Sequence, residues 1–287
     1  MALPALAMLR QAGFALHLLG KSWATDLLAA FPARVERLPP GLLAGARACA
    51  ASGARQAVLF TNSFASALHA RLAGLDAFGY AGDGRSLLLS QALPRWRGHE
   101  VERFWRLACT FCELTPPYPL PPSRLGLQLH AHHRATAADA LAGVGGDYLV
   151  LAPLAVGTIA GRSKVWPGFA ALSAGLRADG FTVVACPGPG EEAATAAALP
   201  GALLLPGLGL GAFAAVLAGA SGVVANDSGP MHLAAAVDAP VVGVFGVSDP
   251  ARTRPWGLHA VAVGSSVGWP DPLTVRVALA PLLRRRL

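Results

Sequence analysis

From Asp147 onward, short apolar runs rich in β-branched residues alternate with stretches whose apolar residues recur at helical spacing. DYLVLAP, FTVVAC, ALLL, GVVAN and APVVGVFG read as strands. PGFAALSAGLRADG, EEAATAAAL, GAFAAVLAGA and SGPMHLAAAV read as helices, the first closed by Gly180 as a C-cap. Apolar runs without polar alternation belong to strands buried on both faces. Strands separated by helices pair in parallel through right-handed crossovers. The pattern predicts a Rossmann-like α/β domain over residues 147–287.

The first half carries a weaker version of the same alternation. FALHLLG, ARVERL, QAVLFT and LDAFGY are strand candidates, and HEVERFWRLACTFCEL is a long amphipathic helix. TPPYPLPPS then places five prolines in nine residues, which forbids helix or central strand. The expected division is an N-terminal Rossmann-like domain over 1–122, a linker over 123–146 and the C-terminal domain over 147–287. Two such domains place a ligand cleft between the C-terminal edges of their sheets. The chain opens on a helix, MALPALAMLRQAG, with Pro4 in its first turn. The first sheet is therefore expected to lack its usual opening strand and to carry an unpaired edge.

Composition narrows the function. With 54% hydrophobic and 14% charged residues among 287, a disordered chain is excluded. Mean hydropathy of +0.48 raises a membrane span. The uncharged stretch from Ala202 to Ala225 is broken by Pro206, Gly207, Gly209, Gly211 and Gly219, and parses as strand, loop, helix, strand. The N-terminal apolar stretch has no basic start and is interrupted by Arg10, so no export signal is expected and the cytoplasm is the expected compartment. Four cysteines do not make a disulfide scaffold at this length; Cys109 and Cys112 share a helix face and read as buried, inert thiols. His130, His132 and His133 sit beside the proline-rich stretch without an acidic or cysteine partner, and read as solvated linker, not as a metal site. A net charge of +7 favours an anionic partner. No basic stripe interleaved with aromatics is present, and RRR at 284–286 is a short tail, so no nucleic acid is expected.

The chemistry gathers where strands end. In GVVANDSGPMHLAAAV a strand gives way to a helix whose start is marked by Asp227 or Ser228 as cap and Pro230 in the first turn. Free N–H groups at such a start bind phosphate; Gly229 admits close approach, and His232 can donate to a phosphate oxygen. Asp227 would repel a diphosphate, and so should cap the helix or bind sugar hydroxyls. In GTIAGRSKVWP, Lys164 is a cation placed after a strand end, and in CPGPGEE, Glu191 can accept from both ribose hydroxyls. Singly, each has an ordinary reading: a strand–helix turn, a core histidine, a solvated lysine, a helix-start acid. Together they describe a nucleoside-diphosphate site.

NDSGPMHLAAAVDAPVVGVFG with the downstream SDP, RT and PWG, GRSKVWP, TNSFASALHARLAGLDAFGYAGDGR and HEVERFW resemble the ADP-heptose:lipopolysaccharide heptosyltransferases of glycosyltransferase family 9, most of all their heptosyltransferase II branch. The resemblance covers nearly the whole chain in order. It implies a GT-B fold and metal-independent, inverting transfer without a cofactor. The donor would be ADP-heptose and the acceptor the heptosyl-Kdo inner core on lipid A, met at the inner face of the cytoplasmic membrane. By position it assigns phosphate binding to Lys164, the donor loop and helix start to Asp227, Ser228, Gly229 and His232, ribose to Glu191 and adenine contact to Leu208. Asn62, Ser63 and Arg85 fall on the acceptor side, with a surface arginine the alternative for Arg85.

The resemblance also implies a Gly-Asp loop ahead of the helix that MALPALAML matches, with its aspartate as general base; that position lies upstream of Met1. Inversion needs a base to take the acceptor hydroxyl proton. The catalytic residue is thus unassigned within these residues, and the expectation is a chain that binds donor but transfers poorly. The alternatives are a nucleotide-sugar-binding homologue with impaired catalysis, or a family 9 enzyme using another nucleotide sugar.

Overall fold

The computed structural model describes residues 1–82 and 84–283, so the RRR run lies outside the described residues. The chain divides into two compact units, Met1–Pro122 and Ser123–Leu287.

The first unit runs α1 (Leu3–Gln11), β1 (His17–Gly20), α2 (Trp23–Leu27), β2 (Arg34–Arg37), α3 (Leu42–Ala51), β3 (Gln56–Leu59), α4 (Phe64–Leu72), β4 (Asp76–Tyr80), β5 (Gln91–Leu93) and α5 (Glu100–Phe111). All pairing is parallel: β1 with β2, and β3 with β4 and β5. Helix α5 turns Val101, Trp105, Leu107, Ala108 and Cys109 inward. Ala108 meets Ala5 and Leu9 of α1, and Leu16, Val58 and Phe60 close the same cluster. Leu16 leads into β1 and Val58 lies in β3, so both ladders rest on one helix pair. The expected unpaired edge is present among the described residues, while the expectation of a single sheet is corrected. There are two ladders, of two and three strands, and among the described residues β1 and β3 each pair on one side only.

The proline-rich stretch does not hang free. Trp105 Nε1 donates to the Pro119 carbonyl at 2.7 Å, and Thr110 and Tyr118 share a hydroxyl hydrogen bond at 2.9 Å. The Arg106 guanidinium sits 4.1 Å from the Trp96 ring centroid and 5.1 Å from that of Tyr118.

The second unit runs α6 (Ala131–Ala140), β6 (Tyr148–Ala152), the hairpin β7 (Thr158–Ile159) and β8 (Arg162–Ser163), α7 (Phe169–Ala178), β9 (Thr182–Ala185), α8 (Glu192–Ala198), β10 (Leu203–Leu204), α9 (Leu210–Gly219), β11 (Gly222–Asn226), α10 (Gly229–Ala236), β12 (Val241–Phe245), α11 (Pro250–Thr253), β13 (Ala260–Gly264) and α12 (Pro272–Leu279). Six strands form one parallel sheet in the order β10-β9-β6-β11-β12-β13. Every residue of β6, β11 and β12 is buried, as their unbroken apolar runs require. Leu149, Leu151, Trp166, Phe169, Leu172, Val183, Val224 and Val242 belong to the core on one face. The stretch from Ala202 to Ala225 forms β10, α9 and most of β11. Among the described residues no helix is long and apolar enough to cross a membrane.

The segment expected as a solvated linker contains α6, and its histidines build the start of that helix. His130 is the N-cap: its Nδ1 accepts from the His132 N–H at 3.3 Å, while His133 Nδ1 accepts from the His130 N–H at 3.3 Å. Imidazoles do here what hydroxyls and carboxylates usually do. His133 is 1% exposed, because α6 packs on α9 where Gly211 leaves room for the ring.

Cys109 is fully buried, its Sγ 3.9 Å from Met8 Sδ. Burial pushes its thiol up to about 11 and that of Cys186 up to about 12. Two outcomes follow from this packing. Alkylation of the native protein near pH 8 labels the partly exposed Cys49 and Cys112 ahead of the buried Cys109 and of Cys186, whose thiol is raised furthest, and urea abolishes the order, as peptide mass mapping reads. A methyl at Gly211 would stand 2.2 Å from His133 Nε2. Gly211→Ala therefore costs about 1–3 kcal/mol in urea unfolding, and adding His133→Ala recovers much of it through the coupling of touching side chains.

Candidate functional site

A parallel sheet sends all its strand C-termini to one edge. In the second unit the spatial order β10-β9-β6-β11 brings four loops to that edge in turn. They carry Leu208 after β10, Glu191 after β9, Lys164 after the β7–β8 hairpin that follows β6, and Asp227 after β11. Neighbouring strands lie about 4.8 Å apart, so these four strand ends span about 14 Å.

Lys164 and Asp227 are an ion pair, Nζ to Oδ2 3.1 Å, with side chains 20% and 8% exposed. Of the two expectations for Asp227, capping of α10 is corrected, since Ser228 holds the N-cap position and Asp227 pairs with Lys164 instead. Register explains the meeting. Ala225 of β11 pairs with Ala152 of β6, so the loops leaving these strands start side by side.

Asn226, which sequence reasoning left without a role, holds the junction. It is fully buried; its Nδ2 donates to the Pro153 carbonyl at 2.7 Å and its Oδ1 accepts from the Trp166 N–H at 2.9 Å. Trp166 is itself buried, its indole donating to the Pro270 carbonyl at 2.9 Å and its ring edge-on to Phe169. The hairpin before Lys164 is tied down by Arg162, whose Nη2 donates to the carbonyls of Gly246 and Ser266, both at 2.8 Å. The available signal for Asn226 was its place one residue beyond a buried apolar run, where a polar side chain must find partners.

Ser228 stands at the N-cap of α10 in extended conformation, but its hydroxyl donates to the Asn226 carbonyl at 3.2 Å and does not cap. The helix start therefore has no side-chain acceptor from its cap residue. Gly229 is exposed, and a Cβ there would meet no atom within 4 Å. A helix start without a side-chain cap, with open space beside Gly229, is an anion-binding geometry. His232 lies half-buried in the first turn. Glu191 directs Oε2 back to the Gly188 N–H at 3.0 Å, bracing its own loop, and Leu208 is half-buried in the turn before α9. Lys164, Asp227, Ser228, Gly229 and His232 thus come together directly, with Glu191 and Leu208 further along the same edge.

In the first unit, Asn62 and Ser63 occupy the loop between β3 and α4 and are exposed. Ser63 caps α4, accepting from the Ser66 N–H at 3.2 Å. In the orientation that satisfies both groups, the Asn62 amide oxygen accepts from Arg103 Nη1 and Nη2 at 3.2 and 3.3 Å. Arg103 also donates to the Phe60 carbonyl and pairs with Glu100 at 2.7 Å. Arg85 departs from both earlier readings: it is 1% exposed, and its Nη1 donates to the Thr61 carbonyl. Gly79 makes this possible, since a Cβ there would strike Arg85 Nη2 at 2.6 Å. A side chain so enclosed supports the Asn62–Ser63 loop from below and does not meet an acceptor. Arg85→Ala, which removes a charge-assisted hydrogen bond and the packing of the stem, lowers unfolding free energy by about 2–4 kcal/mol in urea titration. Arg85→Lys, lacking the planar fork, recovers only part of it.

The family model for glycosyltransferase family 9 (heptosyltransferase) matches residues 46–277. Lipopolysaccharide heptosyltransferase 1 of Pseudomonas aeruginosa is 34% identical over 201 residues, 68% of this chain and 53% of that protein. Lipopolysaccharide heptosyltransferase 3 of Escherichia coli is 33% identical over 135 residues, 42% of this chain and 37% of that protein. The matched region thus spans about half or less of these relatives' length. Among solved structures, E. coli ADP-heptose lipopolysaccharide heptosyltransferase II aligns with a TM-score of 0.77 at 23% identity, over 98% of this chain and 93% of that one. An E. coli heptosyltransferase solved with ADP aligns at 0.76 and 22%, over 98% and 95%. At these identities the structures establish the fold, which is that of the GT-B heptosyltransferases. The chain belongs to glycosyltransferase family 9, the heptosyltransferases.

Proposed function

We propose that this chain binds ADP-heptose along the second unit's sheet edge and transfers the heptose to the heptosyl-Kdo inner core of lipopolysaccharide. The observation that carries the reading is the order of groups along that edge. An apolar side chain (Leu208), a carboxylate (Glu191), a cation (Lys164) and an uncapped helix start (Gly229) follow one another over four adjacent strand ends. A nucleoside diphosphate presents its parts in the same order: base, ribose, diphosphate. Membership of family 9 and an E. coli relative of this fold solved with ADP support the same donor class.

The Lys164–Asp227 pair fits an anion site. An ammonium has three donors, so Lys164 can keep Asp227 and still reach a phosphate oxygen, screening the diphosphate from the carboxylate. In the transfer, the acceptor hydroxyl oxygen bonds to the anomeric carbon from the face opposite the leaving group. The bond from that carbon to the diphosphate oxygen breaks, the hydroxyl proton passes to a base, and the configuration inverts. Negative charge collects on the departing ADP, where Lys164, the α10 N–H groups and His232 stand as fixed donors. In this reading they supply the charge stabilisation, and no metal ion or cofactor takes part. Asn62 and Ser63, on their braced loop, are the proposed acceptor-side groups. The enzyme would work in the cytoplasm, peripherally at the inner face of the cytoplasmic membrane where its lipid-linked acceptor lies, and its excess of positive charge suits that surface.

Calorimetry with ADP tests the donor site. Lys164→Ala and His232→Ala each weaken binding about tenfold or more, since hydrogen bonds to charged groups are worth about 1.5–3 kcal/mol. ADP-heptose outcompetes UDP- and GDP-sugars, while heptose reaches a heptosyl-Kdo-lipid A acceptor only slowly, because no base is assigned within these residues. Unchanged ADP affinity in both variants would remove the proposed site.

A further inference from the structure

Between the end of β6 and Trp166 the chain leaves the sheet, forms the β7–β8 hairpin and returns with Lys164. Both ends of this excursion meet one side chain. Pro153, its first point, gives its carbonyl to Asn226 Nδ2, and Trp166, its last, gives its N–H to Asn226 Oδ1. Pro153 has no N–H with which to extend the ladder to β11, so the amide takes over where β-pairing stops. Asp227, the next residue, then receives Lys164 at 3.1 Å. We infer that Asn226 is a positioning residue: its buried amide clasps the loop 154–165 at its base and so sets Lys164 against Asp227 beside the start of α10. The inference deepens the proposed donor site and rests on it for its effect on ligand, while the clasp itself is a property of the free protein.

The amide is the only neutral side chain of its size that both donates and accepts in this plane. Alanine removes both bonds. Aspartate keeps the acceptor for Trp166 but turns a second oxygen toward the Pro153 carbonyl; only its protonated form regains a donor. Asp227, the next residue, is paired with Lys164, while strands β6 and β12 bring Pro153 and Val244 to this position. Burial and the facing carbonyl both favour the protonated acid. Asn226→Asp therefore regains the clasp as pH falls, and Asn226→Ala does not.

The test uses the full chain with two readouts, hydrogen exchange of peptides covering 154–166 and calorimetric ADP affinity, each referred to wild type at the same pH. Near pH 8, both variants are expected to exchange at least about tenfold faster across this loop and to bind ADP about tenfold more weakly. Near pH 5.5, Asn226→Asp is expected to return toward wild type in both readouts while Asn226→Ala stays impaired. Wild-type exchange in Asn226→Ala overturns the clasp. If that variant does not fold, a loop deficit in folded Asn226→Asp that does not change between the two pH values overturns it equally. Failure of the wild-type chain to bind ADP at all would defeat the donor-site reading, and the exchange data alone would then decide the clasp.

Discussion

The parallel pairing of β6, β11 and β12 is the constraint on which the rest depends. All residues of these strands are buried, so they have little side-chain chemistry to offer along their length. Parallel direction forces their exits onto one edge, and helices covering both faces leave that edge as the place where polar groups can collect. The register then fixes which groups meet. With Ala225 opposite Ala152, the residues just beyond, Asn226 and Pro153, are neighbours. A shift by one residue would also carry every inward side chain of β11 to the other face of the sheet. The core and the site are thus specified by one alignment.

Strand exits create a second problem that both units solve alike. Carbonyls beyond the last ladder bond need donors, and buried ones cannot rely on water. In the first unit guanidinium groups answer: Arg103 to Phe60, Arg85 to Thr61, Arg95 to Ala81. In the second, Asn226 serves Pro153, and Arg162 serves Gly246 and Ser266. Donors anchored from other elements make these loops extensions of the rigid scaffold. Part of the chain's positive charge is thereby engaged in structure, so only the remainder is available to an anionic partner.

How much of this was legible follows from the range of each interaction. Local signals were readable: the alternation of strands and helices, the Pro230 helix start, and the glycine breaks between 202 and 225. Interactions set by strand order were not. Lys164 and Asp227 are separated in sequence by β9 and β10, yet β6 and β11 are neighbours, and nothing in either segment alone declares it. Arg85 sits in GDGR, a loop-like string, and its burial depends on Gly79 of β4 leaving space. The histidines of α6 misled for a chemical reason, because imidazole is not among the usual capping groups although its Nδ1 has the reach. The split of the first sheet into two ladders was likewise hidden, since each strand's pattern reports its burial and not its partner.

The ion pair at the edge bears on why the proposed anion site includes an acid. Two charges held at 20% and 8% exposure lose much of their hydration, and such pairs contribute little net stability. What the pair does is define the free state. Lys164 without Asp227 would be a partly buried cation beside helix N–H groups that already carry partial positive charge, and the loop would tend to swing it to solvent. Asp227 without Lys164 would turn the helix start against anions. Paired, they place a cation at the helix start at no net charge. In the proposed site a diphosphate would meet a donor already oriented, its reorganisation completed in folding. That makes the geometry of the lysine, and the buried amide that holds its loop, matter more than the number of positive charges on the surface.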